Sequence, residues 1–155
     1  MKNNLEYAVH VKWTGNSGSG TSAYDAYGRD YEIEGGGKPI LSGSADPHFR
    51  GADDKYNPEE YLLVAASACH MLTYLALCAR QGISVLDYED APTANLNLKS
   101  HSIEQIVLNP KMKIKDPSHL EKAKSLHAEA NRQCFIANSC KFPIEHNVSL
   151  TAEGD

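Results

Sequence analysis

The chain has 155 residues, a mass of 17.0 kDa and 41% hydrophobic residues, enough for one domain with a single core. With 20 acidic against 15 basic side chains, a net charge of −5 and a pI near 5.8, it has no basic excess, and no run of Lys or Arg points to a nucleic-acid partner. Its four cysteines, Cys69, Cys78, Cys134 and Cys140, form no C-x-x-C pair and no dense framework, which argues against structural disulfides and leaves a transient, catalytic one as the alternative.

The N-terminus, MKNNLEYAVHVKW, goes straight into an alternating pattern without an apolar signal-peptide core, so a cytoplasmic location is expected. Tyr7, Val9, Val11 and Trp13 alternate with polar residues as a half-buried strand does. GNSGSG, from Gly15 to Gly20, reads as a turn. A second strand is expected within residues 23–34, before Gly35, Gly36 and Gly37 break it, and a third begins at Ile40 and Leu41. Together these predict an antiparallel meander. The stretch from Ser42 to Tyr56 reads as an irregular loop of the length that often carries function, and it holds Arg50.

NPEEYLLVAASACHMLTYLALCARQG, from Asn57 to Gly82, predicts one long helix. Asn57 is the N-cap, Pro58 opens the first turn, Glu60 completes a capping box and Gly82 ends the run. It is roughly 36 Å long at 1.5 Å per residue, and its almost uniformly apolar composition predicts a core helix enclosed on most sides. Ser67, His70 and Thr73 interrupt the run, and the rest of the chain is hydrophilic, which argues against a membrane span. Cys69 sits too deep in this helix for the dipole to activate it as a thiolate. A cation from elsewhere, held by a carboxylate, would be needed. Cys78 reads as inert packing.

Strands are expected at 83–88 and 94–99, a hairpin turn at His101–Glu104, and a third alternating strand through Ile106, Leu108, Met112 and Ile114 with Pro110 marking an edge or a bulge. A second helix is predicted from Pro117 or Ser118 to Asn131, with Ser118 and Glu121 as its capping box. One more turn would add Cys134 to the face of Leu120, Ala123, His127 and Ala130. A strand over 145–151 closes the chain. This order is α+β.

The Asn57-Pro58-Glu59-Glu60 cap, the following Ser67-Ala68-Cys69, and a second cysteine after a helix in the context Cys134-Phe135-Ile136-Ala137-Asn138-Ser139 resemble the OsmC/Ohr family of thiol peroxidases, over most of the chain. The resemblance implies a single OsmC-like domain over residues 1–155, with antiparallel sheets around the long central helix. It also implies an intertwined homodimer with active sites at the interface. It implies reduction of organic hydroperoxides, and less well of hydrogen peroxide, without a cofactor or metal and away from any membrane. On that basis Cys69 is the peroxidatic thiolate, Cys134 the resolving thiol, Arg50 the activating cation and Glu59 its carboxylate partner, and an external dithiol reopens the disulfide. Phe135 stands where many relatives carry Pro, and Arg50 follows Phe49 where some relatives have the reverse order. Arg29 is the alternative cation, and Cys140 the alternative resolving thiol.

Two other classes compete. His70, His127 and His146 allow a Cys/His metal site to be imagined, although the spacing matches no closed zinc pattern. A redox sensor or small-molecule binding module on the same fold would oxidise once and not cycle.

Overall fold

Asn57 fixes where the longest helix begins. In the computed structural model, which describes residues 4–154, its side-chain Oδ1 accepts the Glu60 N–H at 2.9 Å, and the Glu60 carboxylate accepts the Asn57 N–H at 2.9 Å. This is the expected capping box, and α1 (Pro58–Arg80) runs from it to the turn at Gly82, where φ is 71°. The chain divides into two compact units, one ending at Tyr61 and the other beginning at Leu62.

The first unit contains the expected meander: β1 (His10–Trp13), β2 (Tyr31–Glu34) and β3 (Leu41–Gly43) pair antiparallel in that order. The first strand starts at His10 rather than Tyr7. His10 lies opposite Glu34, the last residue of β2, and the glycine turn then leads the chain away, so Tyr7 and Val9 have no ladder partner. The loop after β3 is tied down by its own polar groups. Gly43 bridges Tyr56, the Ser44 hydroxyl accepts the Ala52 N–H at 3.1 Å, and the Asp46 carboxylate accepts the His48 N–H at 2.7 Å to start a 3-10 turn over Pro47–Phe49.

In the second unit β4 (Val85–Glu89), β7 (Lys111–Ile114) and β9 (Ser149–Ala152) form one sheet in the order β4-β7-β9. β5 (Thr93–Asn97), β6 (Ser102–Leu108) and β8 (Ile144–His146) form another, in the order β5-β6-β8. The alternating stretch around Pro110 is therefore two strands in two sheets, not one strand with a bulge. Pro lacks an N–H for the ladder, and the chain crosses between sheets at Asn109 and Pro110. The hairpin turn falls just before the position expected, with His101 at φ 52° closing it and Ser102 opening β6. The C-terminal strand is likewise two strands. β8 and β9 run parallel to β6 and β7, each pairing with its own half of the crossover.

A 3-10 turn (Pro117–His119) leads into α2 (Leu120–Gln133), followed by α3 (Phe135–Ser139), a helical turn not anticipated from the sequence. Asp116 rather than Ser118 caps this region, its carboxylate accepting the Ser118 N–H at 2.8 Å. Two apolar clusters form the core. One joins Tyr74, Leu77 and Cys78 of α1 to Met112, Ile114, Ala123, Leu126 and Ala130; the other joins Ala66 to Ile106, Leu108 and Ile144.

By length and composition α1 could cross a membrane, but its buried stripe of Ala66, His70, Tyr74, Leu77 and Cys78 packs inside the protein. The helix is not enclosed on most sides. Val64 and Leu72 are more than half exposed, because the two clusters take up only one face.

Candidate active site

The stripe of α1 beside the buried one carries Ala65, Cys69, Leu72, Thr73, Ala76 and Arg80, at the spacing that keeps residues on one helical face. With Gln133, Phe135 and Ile136 it lines an open groove of ≈ 650 Å³. Cys69 is half-buried at this wall, and the Thr73 hydroxyl donates to its backbone carbonyl at 2.8 Å.

Cys134 joins two helices. Its backbone is extended, φ −73° and ψ 113°, so it ends α2 and serves as the N-cap of α3. Its side chain is 1% exposed, and Sγ accepts the Ala137 N–H at 3.4 Å. Burial pushes the thiol up to about 11, and the neighbouring Cys69 thiol pushes the same way; the amides of Ala137 and Ile136 pull against both. Cys134 therefore keeps its proton at neutral pH. The structure brings together Cys69 and Cys134, the two cysteines singled out by resemblance.

The other two thiols are packing groups. Cys78 is buried beside Tyr74, with its thiol shifted up by burial. Cys140 packs against the cluster of Ile106, Leu108 and Ile144.

Arg50 lies in the first unit at the end of the 3-10 turn, with φ 66° and an exposed side chain. Glu59 occupies the first turn of α1, half-buried, where its charge raises the pKa of the Tyr31 phenol behind burial and Tyr61 as larger causes. The two form no salt bridge with each other. Arg29 is committed locally. It donates to the carbonyls of Tyr27 and Tyr24 and lies over both rings, 4.0 Å and 4.5 Å from their centroids.

Sequence reasoning treated the histidines as a loose possibility for metal, and the structure gives them a different organisation. His70 (1% exposed), His127 (3%) and the half-buried His146 stack in the core. His70 Nε2 and His127 Nδ1 lie 3.0 Å apart, and His127 Nε2 is 3.1 Å from Met112 Sδ. Burial, with the neighbouring imidazoles as the smaller cause, lowers His70 to about 4 and His127 to about 3, so both are neutral at pH 7. The two nitrogens of His127 face opposite partners and do not converge on a common point. Among the described residues no group of three or more His, Cys, Asp or Glu is arranged to hold a metal ion. The signal for this cluster was available: His70, Tyr74, Leu77 and Cys78 recur at i, i+4, i+7 and i+8.

Comparison with known proteins agrees with this architecture. No curated protein matches the sequence. An OsmC-like protein of unknown function from Vibrio cholerae, VCA0330, is 27% identical over 94% of this chain and 99% of its own, with a TM-score of 0.85. An organic hydroperoxide resistance protein OsmC from Legionella pneumophila is 18% identical over 96% and 99%, with a TM-score of 0.65. The organic hydroperoxide resistance protein OhrB of Bacillus subtilis is 16% identical over 95% and 98%, with a TM-score of 0.61. The sequence model of the OsmC-like protein family matches residues 51–149, well over half of the chain. The chain belongs to the OsmC-like protein family.

Proposed function

We propose that this protein is a thiol-dependent peroxidase that reduces organic hydroperoxides, and hydrogen peroxide less well, through Cys69 and Cys134. The observation that carries the reading is the proximity of these two thiols, distant in sequence: Cys69 stands at the wall of an apolar groove, and the buried Cys134 thiol is close enough for Cys69 to raise its pKa. The Cys69 thiolate attacks the terminal peroxide oxygen; the O–O bond breaks, the alkoxide takes up a proton and leaves as the alcohol, and Cys69 becomes a sulfenic acid. The Cys134 sulfur then attacks the sulfenic sulfur. An S–S bond forms, and the hydroxyl leaves with the Cys134 proton as water. An external dithiol restores both thiols by exchange and is itself oxidised to its disulfide.

The activating cation is assigned to Arg50, with Glu59 as its carboxylate partner, on family resemblance. Its rival Arg29 has a guanidinium already occupied by two carbonyls and two rings. A homodimer with interfacial active sites is part of the same reading. Exposed apolar side chains support it separately in each unit: Tyr7, Val9 and Val11 in the first, Val64, Leu72 and Phe135 in the second.

The test is non-reducing peptide-mapped mass spectrometry after one equivalent of cumene hydroperoxide is added to reduced protein. The expected product links the Cys69 and Cys134 peptides with loss of two hydrogens, and repeated turnover with a dithiol. Linkage to Cys140 instead would move the resolving role. Free thiols after treatment, or a single oxidation that no dithiol reverses, would refute the peroxidase.

A further inference from the structure

The peroxidase chemistry uses none of the buried histidines, yet they occupy the junction between the helices that carry the two cysteines. His70 directly follows Cys69 on α1. His127 lies two turns before Cys134 on α2, in a segment free of Gly and Pro, so it is joined to Cys134 by about 10 Å of regular helix. Around these two histidines both helices contribute to one apolar cluster, Tyr74, Leu77 and Cys78 from α1 and Ala123, Leu126 and Ala130 from α2. Such contacts are non-directional and resist small slides or rotations weakly. A hydrogen bond between two planar rings is directional and fixes both distance and angle.

The protonation pattern can be assigned from the partners. If His70 Nε2–H donates to His127 Nδ1, then His127 Nε2–H is free to donate to the Met112 sulfur, and the one nitrogen left over, the buried and unpartnered His70 Nδ1, is only an acceptor. The opposite assignment sets a bare nitrogen lone pair against the sulfur and strands a buried N–H at His70, which costs more. Tyr74 stacks on the His127 ring at 3.9 Å and 16°, and His146 packs against His70 at 4.8 Å, so neither ring of the pair is free to turn.

We propose that the His70–His127 hydrogen bond is a positioning device that sets the register of α1 against α2 and so holds Cys134 on Cys69, making disulfide closure, rather than the attack on peroxide, depend on it. The inference rests on the two-cysteine reading above. It makes His70 and His127 positioning residues, acting through the helices rather than on substrate.

Rapid-quench mass spectrometry separates the two steps: oxidation of Cys69 by cumene hydroperoxide, and closure onto Cys134. Wild type is compared with His127→Leu, which removes the bond, and His127→Asn, whose amide oxygen can stand near the Nδ1 position and accept from His70. The expected result for His127→Leu is closure slowed by about tenfold or more, the scale on which sub-ångström to ångström misplacement acts. Its first step stays within about threefold of wild type, and sulfinic acid accumulates at Cys69 under excess peroxide. His127→Asn restores closure to within about threefold, less than 1 kcal/mol. Closure at the wild-type rate in His127→Leu, or closure in His127→Asn as slow as in His127→Leu, overturns the proposal. Should His127→Leu not fold, the same comparison is made with His70→Met and His70→Gln, the latter keeping an amide donor near Nε2, and the same two outcomes decide. A wild type that never links the two cysteines overturns the peroxidase reading and this inference with it, whereas wild-type linkage with unaffected variants overturns this inference alone.

Discussion

Acidification loads the buried histidines and lowers stability well before the carboxylates titrate. In the unfolded chain each imidazole protonates near pH 6.5. In the fold, burial and the neighbouring imidazoles bring His70 to about 4 and His127 to about 3, and burial lowers His146 as well. The unfolded state therefore binds more protons below pH 6.5. Stability is complete above that value, falls as the pH drops through it, and goes on falling until the folded-state values are reached. Near pH 5 unfolding takes up about two protons from His70 and His127, and each proton contributes a slope of about 1.4 kcal/mol per pH unit. Two protons give about 2.8 kcal/mol per unit, a large fraction of the total for a marginally stable domain. Urea unfolding followed by circular dichroism between pH 7 and pH 5 measures this slope. The window ends above the range in which Asp30, Asp116 and Glu129, all lowered by their hydrogen bonds, begin to matter. His127→Asn should reduce the slope by about one proton. Stability that is flat from pH 7 to 5, or uptake of less than about one proton, would refute the argument that these imidazoles are held neutral by burial.

Three further outcomes are expected. Asn57→Ala removes the acceptor for the Glu60 N–H and should cost about 1 kcal/mol, seen as a lower calorimetric midpoint; an unchanged midpoint would mean that the cap contributes nothing. Gly51→Ala would set a Cβ 1.6 Å from the Ala45 carbonyl oxygen, backbone against backbone, so the loop must move at a cost of about 1–3 kcal/mol or more, measured by urea unfolding. Arg50→Gln should slow Cys69 oxidation by about 100-fold, the scale for losing one donor to a developing anion, while Arg29→Ala should leave that rate near wild type and lower stability instead. The reverse result in stopped-flow oxidation would transfer the activating role to Arg29.

The long helix was legible because its start and stop are local chemistry. Asn57, Pro58, Glu60 and Gly82 act on the backbone within one turn, whatever surrounds them. The meander was legible for the same reason, since glycines set its turns. What the sequence concealed was pairing at long range. The alternation on either side of Pro110 is identical in period, so nothing in it tells one strand from two, and only the positions of β8 and β9 separate the halves. The face of α1 that stays exposed was equally hidden, because an apolar stripe looks the same whether its own chain covers it or not. Resemblance supplied the pair Cys69 and Cys134, which spacing alone could not, with an entire helix and several strands between them. The histidines were misjudged because a histidine is polar by default: the apolar stripe that carries His70 was readable, but its pairing with His127 comes only from the contact of α1 with α2.

The crossover at Asn109 and Pro110 also bears on where Cys69 and Cys134, the proposed redox pair, can move. It splits the core into two clusters, and Cys134 stands at their seam: α2 before it packs on the cluster of Tyr74 and Met112, while Ile136 and Ala137 after it pack on the cluster of Ile106 and Leu108. Cys69 lies between Ala66 of one cluster and Tyr74 of the other on the same helix. On the proposed two-cysteine chemistry, the Cys134 sulfur would give up the Ala137 N–H, the cap of a five-residue helix, as it closes onto Cys69, at a cost on the order of 1 kcal/mol. Neither cluster need open. On that chemistry the change that closure asks for falls on α3, and α1 and α2, which set the distance between the sulfurs, are the parts of the unit it would leave in place.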